Sequence, residues 1–278
     1  MIAEQYFTIG VITAPWQEVW NFLRWGNPFA LLFSVILGAC LGSFANVVIH
    51  RLPRNQSIVI PASYCPYCRV PIPPKHNIPI LSYFFLRGRT ACCNRPIPAR
   101  YPIVEALAAL FLGTLYIFEG WTVTFLFESA WMLLLLILAA IDLEHFRLPN
   151  VLVGMGAVLS LVWMLLQPSQ SWSHAGLGLL LGFGIAGATM VLGKLLKGRW
   201  SGMGDLKLAA VLGFTFGPGR FLILYLVATF SAVIYAAARR KSAEIGKIPM
   251  GPFFALGAWV AILCGEEVVL WYLSLIYI

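Results

Sequence analysis

Eight apolar runs dominate this sequence, at about 28–49, 101–118, 121–141, 150–166, 175–193, 205–217, 220–238 and 249–264. Most approach the roughly 20 residues an α-helix needs to cross the hydrocarbon core of a bilayer. Such a chain does not fold around one core in water. Of its 278 residues 60% are hydrophobic and 11% charged, against about 25% charged in a soluble domain. The expectation is an all-α polytopic membrane protein with about eight transmembrane helices. The sixth run is short and follows a glycine-rich loop. The tail 268–278 is too short to span alone, and either extends the last helix or lies at the interface. The same composition excludes collagen-like, disordered and low-complexity classes.

Charge divides the chain further. From Arg51 to Arg100 there are eight Lys/Arg and no Asp or Glu, while the rest holds eleven basic and eleven acidic residues. The whole net charge of +8 therefore belongs to one stretch. That stretch also carries four of the six cysteines, and reads as a small cysteine-containing domain, 50–100, between the first two helices. The remaining divisions are an external or interfacial segment 1–27 anchored by Trp16, Trp20 and Trp25, a first transmembrane helix 28–49, and a membrane domain 101–278. Residues 1–26 lack the pattern of a removable signal peptide. If loop 50–100 is cytoplasmic, that side gathers seventeen basic residues, against Arg24 and Arg220 opposite. The positive-inside rule then puts both termini outside.

With so few acids, each one is informative. Asp142 and Asp205 are the two aspartates of the chain. The first closes the third apolar run and the second opens the sixth, so both fall at similar depth on the basic side of the membrane. Two carboxyls brought together share one proton, because like charges at close range do not both ionise. One then acts as base towards a water and the other as acid towards a peptide carbonyl and leaving amine. This is the constellation of an aspartic protease. Gly202 and Gly204, just before Asp205, let backbone and substrate approach closely, and the helix that Asp205 opens presents a dipole favouring negative charge. Each aspartate alone is equally readable as a helix cap. The pairing carries the argument.

Five ordered motifs resemble the type IV prepilin leader peptidases, aspartic proteases of the bacterial inner membrane that carry a GxGD motif. They are GSFANVVIHRLPR (Gly42 to Arg54), NIPILSYFFLRGR (Asn77 to Arg89), RYPIVEAL (Arg100 to Leu107), IDLEHFRLPN (Ile141 to Asn150) and GMGDLKL (Gly202 to Leu208). The resemblance implies that Asp142 and Asp205 are the catalytic pair. It implies cleavage of prepilins and pseudopilins after a glycine at the cytoplasmic membrane face, with no cofactor for proteolysis. Members with the long loop between the first two helices also methylate the new N-terminus using S-adenosylmethionine. This chain has that loop. Gly88 falls in the stretch that the resemblance links to methyl transfer, while the residue by itself reads first as a tight turn. His50, Arg51, Glu105 and Lys207 join Gly202 and Gly204 as residues supporting substrate or loop. Glu105, an acid inside a span, is expected to pair with a loop arginine or contact substrate.

Cys65 and Cys68 form a C-x2-C pair of the zinc-ribbon sort. The resemblance puts a second pair at 90 and 93, but Thr90 fills the first place and Cys92 stands beside Cys93. Zinc on Cys65, Cys68, Cys92 and Cys93 then requires a changed local backbone. Three thiolates with His76 or a water, and a loop folded without metal, are the alternatives. Cys40 and Cys264, inside apolar runs, read as small buried hydrophobes. The basic loop lacks interleaved aromatic stacking motifs, so anionic lipid head groups rather than nucleic acid are its expected partner. Two rival functions remain: a proton-coupled transporter using Asp142 and Asp205, which calls for carboxylates near the midplane, and a scaffold whose cysteine loop recruits a partner.

Overall fold

The computed structural model describes residues 26–167, 171–197, 202–239 and 248–276. The expected tryptophan anchor and the basic residues Arg199, Arg240, Lys241 and Lys247 lie outside them. Among the described residues there are seven long helices and no strand beyond two isolated bridges. The helices are α1 (Pro28–Arg51), α2 (Arg100–Glu119), α3 (Val123–His145), α4 (Asn150–Leu166), α5 (Trp172–Lys197), α6 (Met203–Arg239) and α7 (Gly251–Ile276). Their starts follow local chemistry. Asn27 caps α1 by accepting the Phe29 and Ala30 N–H groups, with Pro28 in the first turn, and Thr122 caps α3 through the Phe125 N–H.

Six of these helices have the length and hydropathy to cross a membrane, and α4, with 17 residues, is a shorter apolar helix. The expected sixth and seventh spans are two limbs of α6, separated at Gly217 (φ 71°, ψ 175°) and Pro218. Packing shows that the chain reverses there. Gly178 and Gly182 of α5 meet Gly213 and Ala209 of the first limb, an antiparallel order. On the second limb the order is parallel, since Gly217 meets Gly178 and the Tyr225 hydroxyl lies 3.2 Å from that of Thr189. The seven helices thus supply eight apolar segments.

In lipid, helices gain little from burying one apolar surface on another, so close backbone contact through small residues holds them together. A Cβ on Gly213 would lie 2.1 Å from the Gly178 oxygen, and one on Gly38 of α1 would lie 2.6 Å from the Ala108 oxygen of α2. Helix α3 is the centre of the bundle. It packs on α1, α2, α4 and α7, and its Phe125, Trp131, Met132, Leu135, Leu138 and Ile141 are fully buried. The last apolar run extends beyond 264, because α7 continues through Glu266, which pairs with Arg220 of α6. The tail therefore lengthens the last helix. Cys40 also departs from expectation: it is exposed, because the buried stripe of α1 runs through Ser34, Gly38, Gly42, Ala45 and Asn46.

Candidate active site

Asp142 sits in the last turn of α3, which ends at Phe146 in the left-handed region (φ 51°), its N–H bonded to the Asp142 carbonyl. The side chain is buried, and backbone amides reach it. Oδ2 accepts the Gly251 N–H at 2.8 Å, and the Met250 N–H also hydrogen-bonds the carboxyl. Those amides open α7, where unpaired N–H groups and the helix dipole attract an anion. Gly251 has to be small, since a Cβ there would fall 3.0 Å from the Asp142 Cβ and 3.1 Å from the Ala139 Cα.

Asp205 lies in the first turn of α6. Gly202 (φ +88°) makes the turn into that helix, and a Cβ on it would stand 3.1 Å from Asp205 Oδ2. A Cβ on Gly204 would stand 3.1 Å from the Leu148 Cβ, so α6 starts tight against the link between α3 and α4. The connection brings Asp205 within electrostatic range of Asp142. Both expected glycines thus shape the site. Lys207 donates to Asn150 Oδ1 at 3.0 Å and ties α6 to the start of α4. The dipole argument made for Asp205 applies equally to Asp142, which faces the start of α7. Two mutually interacting carboxyls, one anchored by backbone amides, are equipped for paired acid and base chemistry on a water.

A second group gathers where α1 ends, α2 begins and the loop folds back. Glu105 pairs with backbone rather than with a loop arginine: Oε2 accepts the Ile80 N–H at 2.7 Å, and the Ser43 side chain also hydrogen-bonds the carboxyl. The reason is that Ile80 (φ 62°) turns the loop onto α2 and aims its amide inwards. Arg51 instead donates to the Ser57 and Ala62 carbonyls and lies over the Tyr64 ring. It thereby fastens the loop to α1. His50 lines the cavity these parts enclose, about 180 Å³ in volume. Gly88 takes the positive φ (+69°) of a tight turn, and a Cβ on it would lie 3.2 Å from the Tyr83 hydroxyl. Arg100, at the start of α2, pairs with Glu144 of α3 and joins this group to the turn bearing Asp142.

The four loop cysteines converge, with all Sγ atoms within 4.8 Å of one another. The expected change of backbone is absent. In the first knuckle the Cys65 N–H donates to the Val70 carbonyl and the Arg69 N–H to the Cys65 carbonyl. In the second, the Thr90 N–H donates to the Arg95 carbonyl and the Asn94 N–H to the Thr90 carbonyl. The bridges Tyr64 to Pro71 and Arg89 to Pro96 repeat the match, as do left-handed Arg69 and Asn94. Thr90 therefore occupies the Cys65 position of a conventional knuckle, and Cys92 reaches in from its tip. Tetrahedral zinc with bonds of about 2.3 Å sets thiolates about 3.8 Å apart. The Sγ pairs Cys65–Cys93, Cys68–Cys92 and Cys92–Cys93 are 3.7, 3.2 and 4.0 Å apart, which fits that ion. His76 is not in the cluster. Burial disfavours the Cys65 thiolate, but the Cys68 and Tyr67 amides and the neighbouring thiols outweigh it and hold its pKa at about 7. Hydrogen bonding to Cys68 pushes Cys92 up to about 12.

Sequence reasoning did not single out Gly251, Ile80 or Asn46. Gly251 had a signal, a Gly-Pro pair opening an apolar run. Asn46 and Ile80 fall inside the stretches GSFANVVIHRLPR and NIPILSYFFLRGR, but they act through a tertiary contact and a backbone amide, which residue type does not announce.

A model of the bacterial peptidase A24 N-terminal domain matches residues 36–118, and one of the type IV leader peptidase family matches residues 129–237. Similar proteins include the prepilin leader peptidase/N-methyltransferase of Pseudomonas aeruginosa, 34% identical with 89% of this chain and 95% of that relative covered. The protein of that name from Aeromonas hydrophila is 33% identical, with 88% and 94% covered. The type 4 prepilin-like proteins leader peptide-processing enzyme of Escherichia coli O78:H11 is 32% identical, with 81% and 91% covered. No solved structure shows significant similarity to the chain. Bundle and matches together define a multi-pass membrane peptidase. The chain belongs to the type IV leader peptidase family. The transporter alternative finds no support in any of this.

Proposed function

We propose that this protein removes the short basic leader from type IV prepilins and pseudopilins, cutting after glycine, and then N-methylates the exposed N-terminus. The observation that carries the reading is the approach of Asp142 and Asp205, from helices far apart in sequence, at one end of a membrane bundle. In this mechanism the pair holds one proton between its two carboxyls. The ionised member takes a proton from water as its oxygen attacks the scissile carbonyl, and the protonated member donates to the carbonyl oxygen. Collapse of the tetrahedral intermediate breaks the C–N bond, with a proton passing to the leaving amine. The amides of Gly251 and Met250 hold Asp142 in place throughout. A site at the membrane edge suits the reaction, because there a peptide leaves helical form and water is at hand.

The basic loop 50–100 supports a cytoplasmic site in the bacterial inner membrane, with 1–27 on the far side and 101–278 forming the protease body. Anionic head groups are the partner this charge favours. The four loop thiols would hold a structural zinc that fastens the two knuckles together. When bound, S-adenosylmethionine supplies an electrophilic methyl group; the loop and the ends of α1 and α2 are where this chain would receive it.

The test is co-expression of a prepilin with wild type, Asp142→Asn or Asp205→Asn protein, followed by mass spectrometry of the pilin N-terminus. Wild type is expected to release the leader and add 14 mass units, about one methyl group, and each variant to leave the leader attached. A variant that still cleaves at the wild-type rate sinks the paired-aspartate mechanism.

A further inference from the structure

The cavity beside Glu105 contains hydrogen-bond acceptors without matching donors. Glu105 is 8% exposed and Asn46 2%, and both line a space of about 180 Å³. The Asn46 amide donates to the Tyr101 carbonyl at 3.0 Å, which fixes its orientation. Its Oδ1 then finds no donor among the described residues. Glu105 receives hydrogen bonds from Ile80 and Ser43, yet a carboxylate has about four acceptor sites. No cationic side chain among the described residues lies within ion-pair distance of it. Buried charges are normally paired, and buried acceptors normally satisfied. A missing partner here is a donor-rich cation. The rest of the wall mixes apolar side chains, Ile78, Ile97, Tyr64 and Tyr83 among them, with polar ones that include His50 and Arg51, whose guanidinium is taken up by the Ser57 and Ala62 carbonyls.

We propose that this cavity binds the methyl acceptor, the free N-terminal residue of the cleaved pilin, with its α-amino group between Glu105 and Asn46 and its apolar side chain against the wall. The assignment rests on the methyltransferase part of the proposed function and specifies which residues hold that substrate. Size favours the acceptor over the cofactor, since sites for drug-sized ligands run to roughly 300–1,000 Å³. Position favours it too. His50 on the wall lies within electrostatic range of Arg100 and Glu144, and Glu144 is two residues from Asp142. A new N-terminus made at the aspartates passes to the cavity on the same end of the bundle. For transfer the ammonium first gives a proton to the Glu105 carboxylate; the freed nitrogen lone pair would then form the N–C bond as the C–S bond of a bound sulfonium donor breaks and its thioether leaves.

The experiment uses the full chain in nanodiscs and a fluorescent peptide starting with the residue after the cleaved glycine. Binding is measured by anisotropy without cofactor, for the free-amine peptide and its N-acetylated form. Wild type is expected to bind the free amine roughly tenfold or more tighter, the worth of a charged hydrogen bond. Glu105→Gln is expected to lose that preference while eluting as a monodisperse species, and Glu105→Asp to keep part of it. Equal binding of both peptides by wild type overturns the assignment without recourse to any variant, as does a preference surviving in Glu105→Gln. In a parallel reaction with S-adenosylmethionine, failure of wild type to methylate the free-amine peptide defeats the methyltransferase reading itself. The two failures are thereby distinguished.

Discussion

Gly251 and Cys92 illustrate how single residues set the chemistry. Gly251 lets α7 start against Asp142, so that its amide reaches the carboxylate. Gly251→Ala pushes the helix start away from Asp142. Because misplacing a catalytic group by about 1 Å costs on the order of a hundredfold, leader removal should fall about tenfold or more. Thermal unfolding should shift only by the modest cost of a crowded methyl, about 1–3 kcal/mol. Cleavage rate and melting curve together check this. At Cys92 the expectation concerns metal. Cys92→Ser should weaken zinc binding, and adding Thr90→Cys should restore it, because Thr90 already has the backbone of a knuckle cysteine. Zinc takes thiolates, so binding releases the proton that Cys92 holds up to about 12. Affinity must therefore rise with pH, about tenfold per unit for each proton released. Competition with a chromophoric chelator at pH 6.5 and 7.5 reads both effects.

At the level of elements, the reversal within α6 is the decisive joint. Gly217 has φ 71°, and a Cβ on it would lie 2.5 Å from the His174 ring of α5. Gly217→Ala therefore combines backbone strain with a clash, and should destabilise the bundle by about 2 kcal/mol or more. Unfolding of the purified protein in detergent measures it. The break also governs the site at a distance. It lets the first limb, 203–216, stay short enough to place Asp205 at the bundle's end while the second limb packs on α7 through Arg220 and Glu266. The short α4 has a related part, since its first residue, Asn150, receives Lys207.

Across the whole molecule, the basic domain and the aspartates lie at one end of the bundle, linked by Arg100 and Glu144. That end should face the cytoplasm. Cys68 and Cys92 are exposed, so a membrane-impermeant thiol reagent should leave them unlabelled in intact spheroplasts and label them after permeabilisation with a zinc chelator present. Labelling of intact cells would reverse the topology. Much of this was legible without coordinates. Apolar runs report helices because a bilayer leaves the backbone no other economical form, basic loops report sidedness, and scarce acids single themselves out. The Glu105 partner, the outward face of Cys40 and the unchanged second knuckle were not legible. Each depends on which side of a helix or loop faces a neighbour, and the apolar runs carry almost no periodicity to tell.

Hydropathy, charge and residue type act locally, so the residues in order already specify a membrane bundle with a basic, thiol-bearing loop and two aspartates at one depth. Long-range packing is what brings those aspartates within electrostatic range of one another, aims the amides at the start of α7 at Asp142, and puts Glu105 and Asn46 on one cavity. Such contacts arise where glycines let separate helices approach within backbone distance. Their geometry is a property of the packed whole.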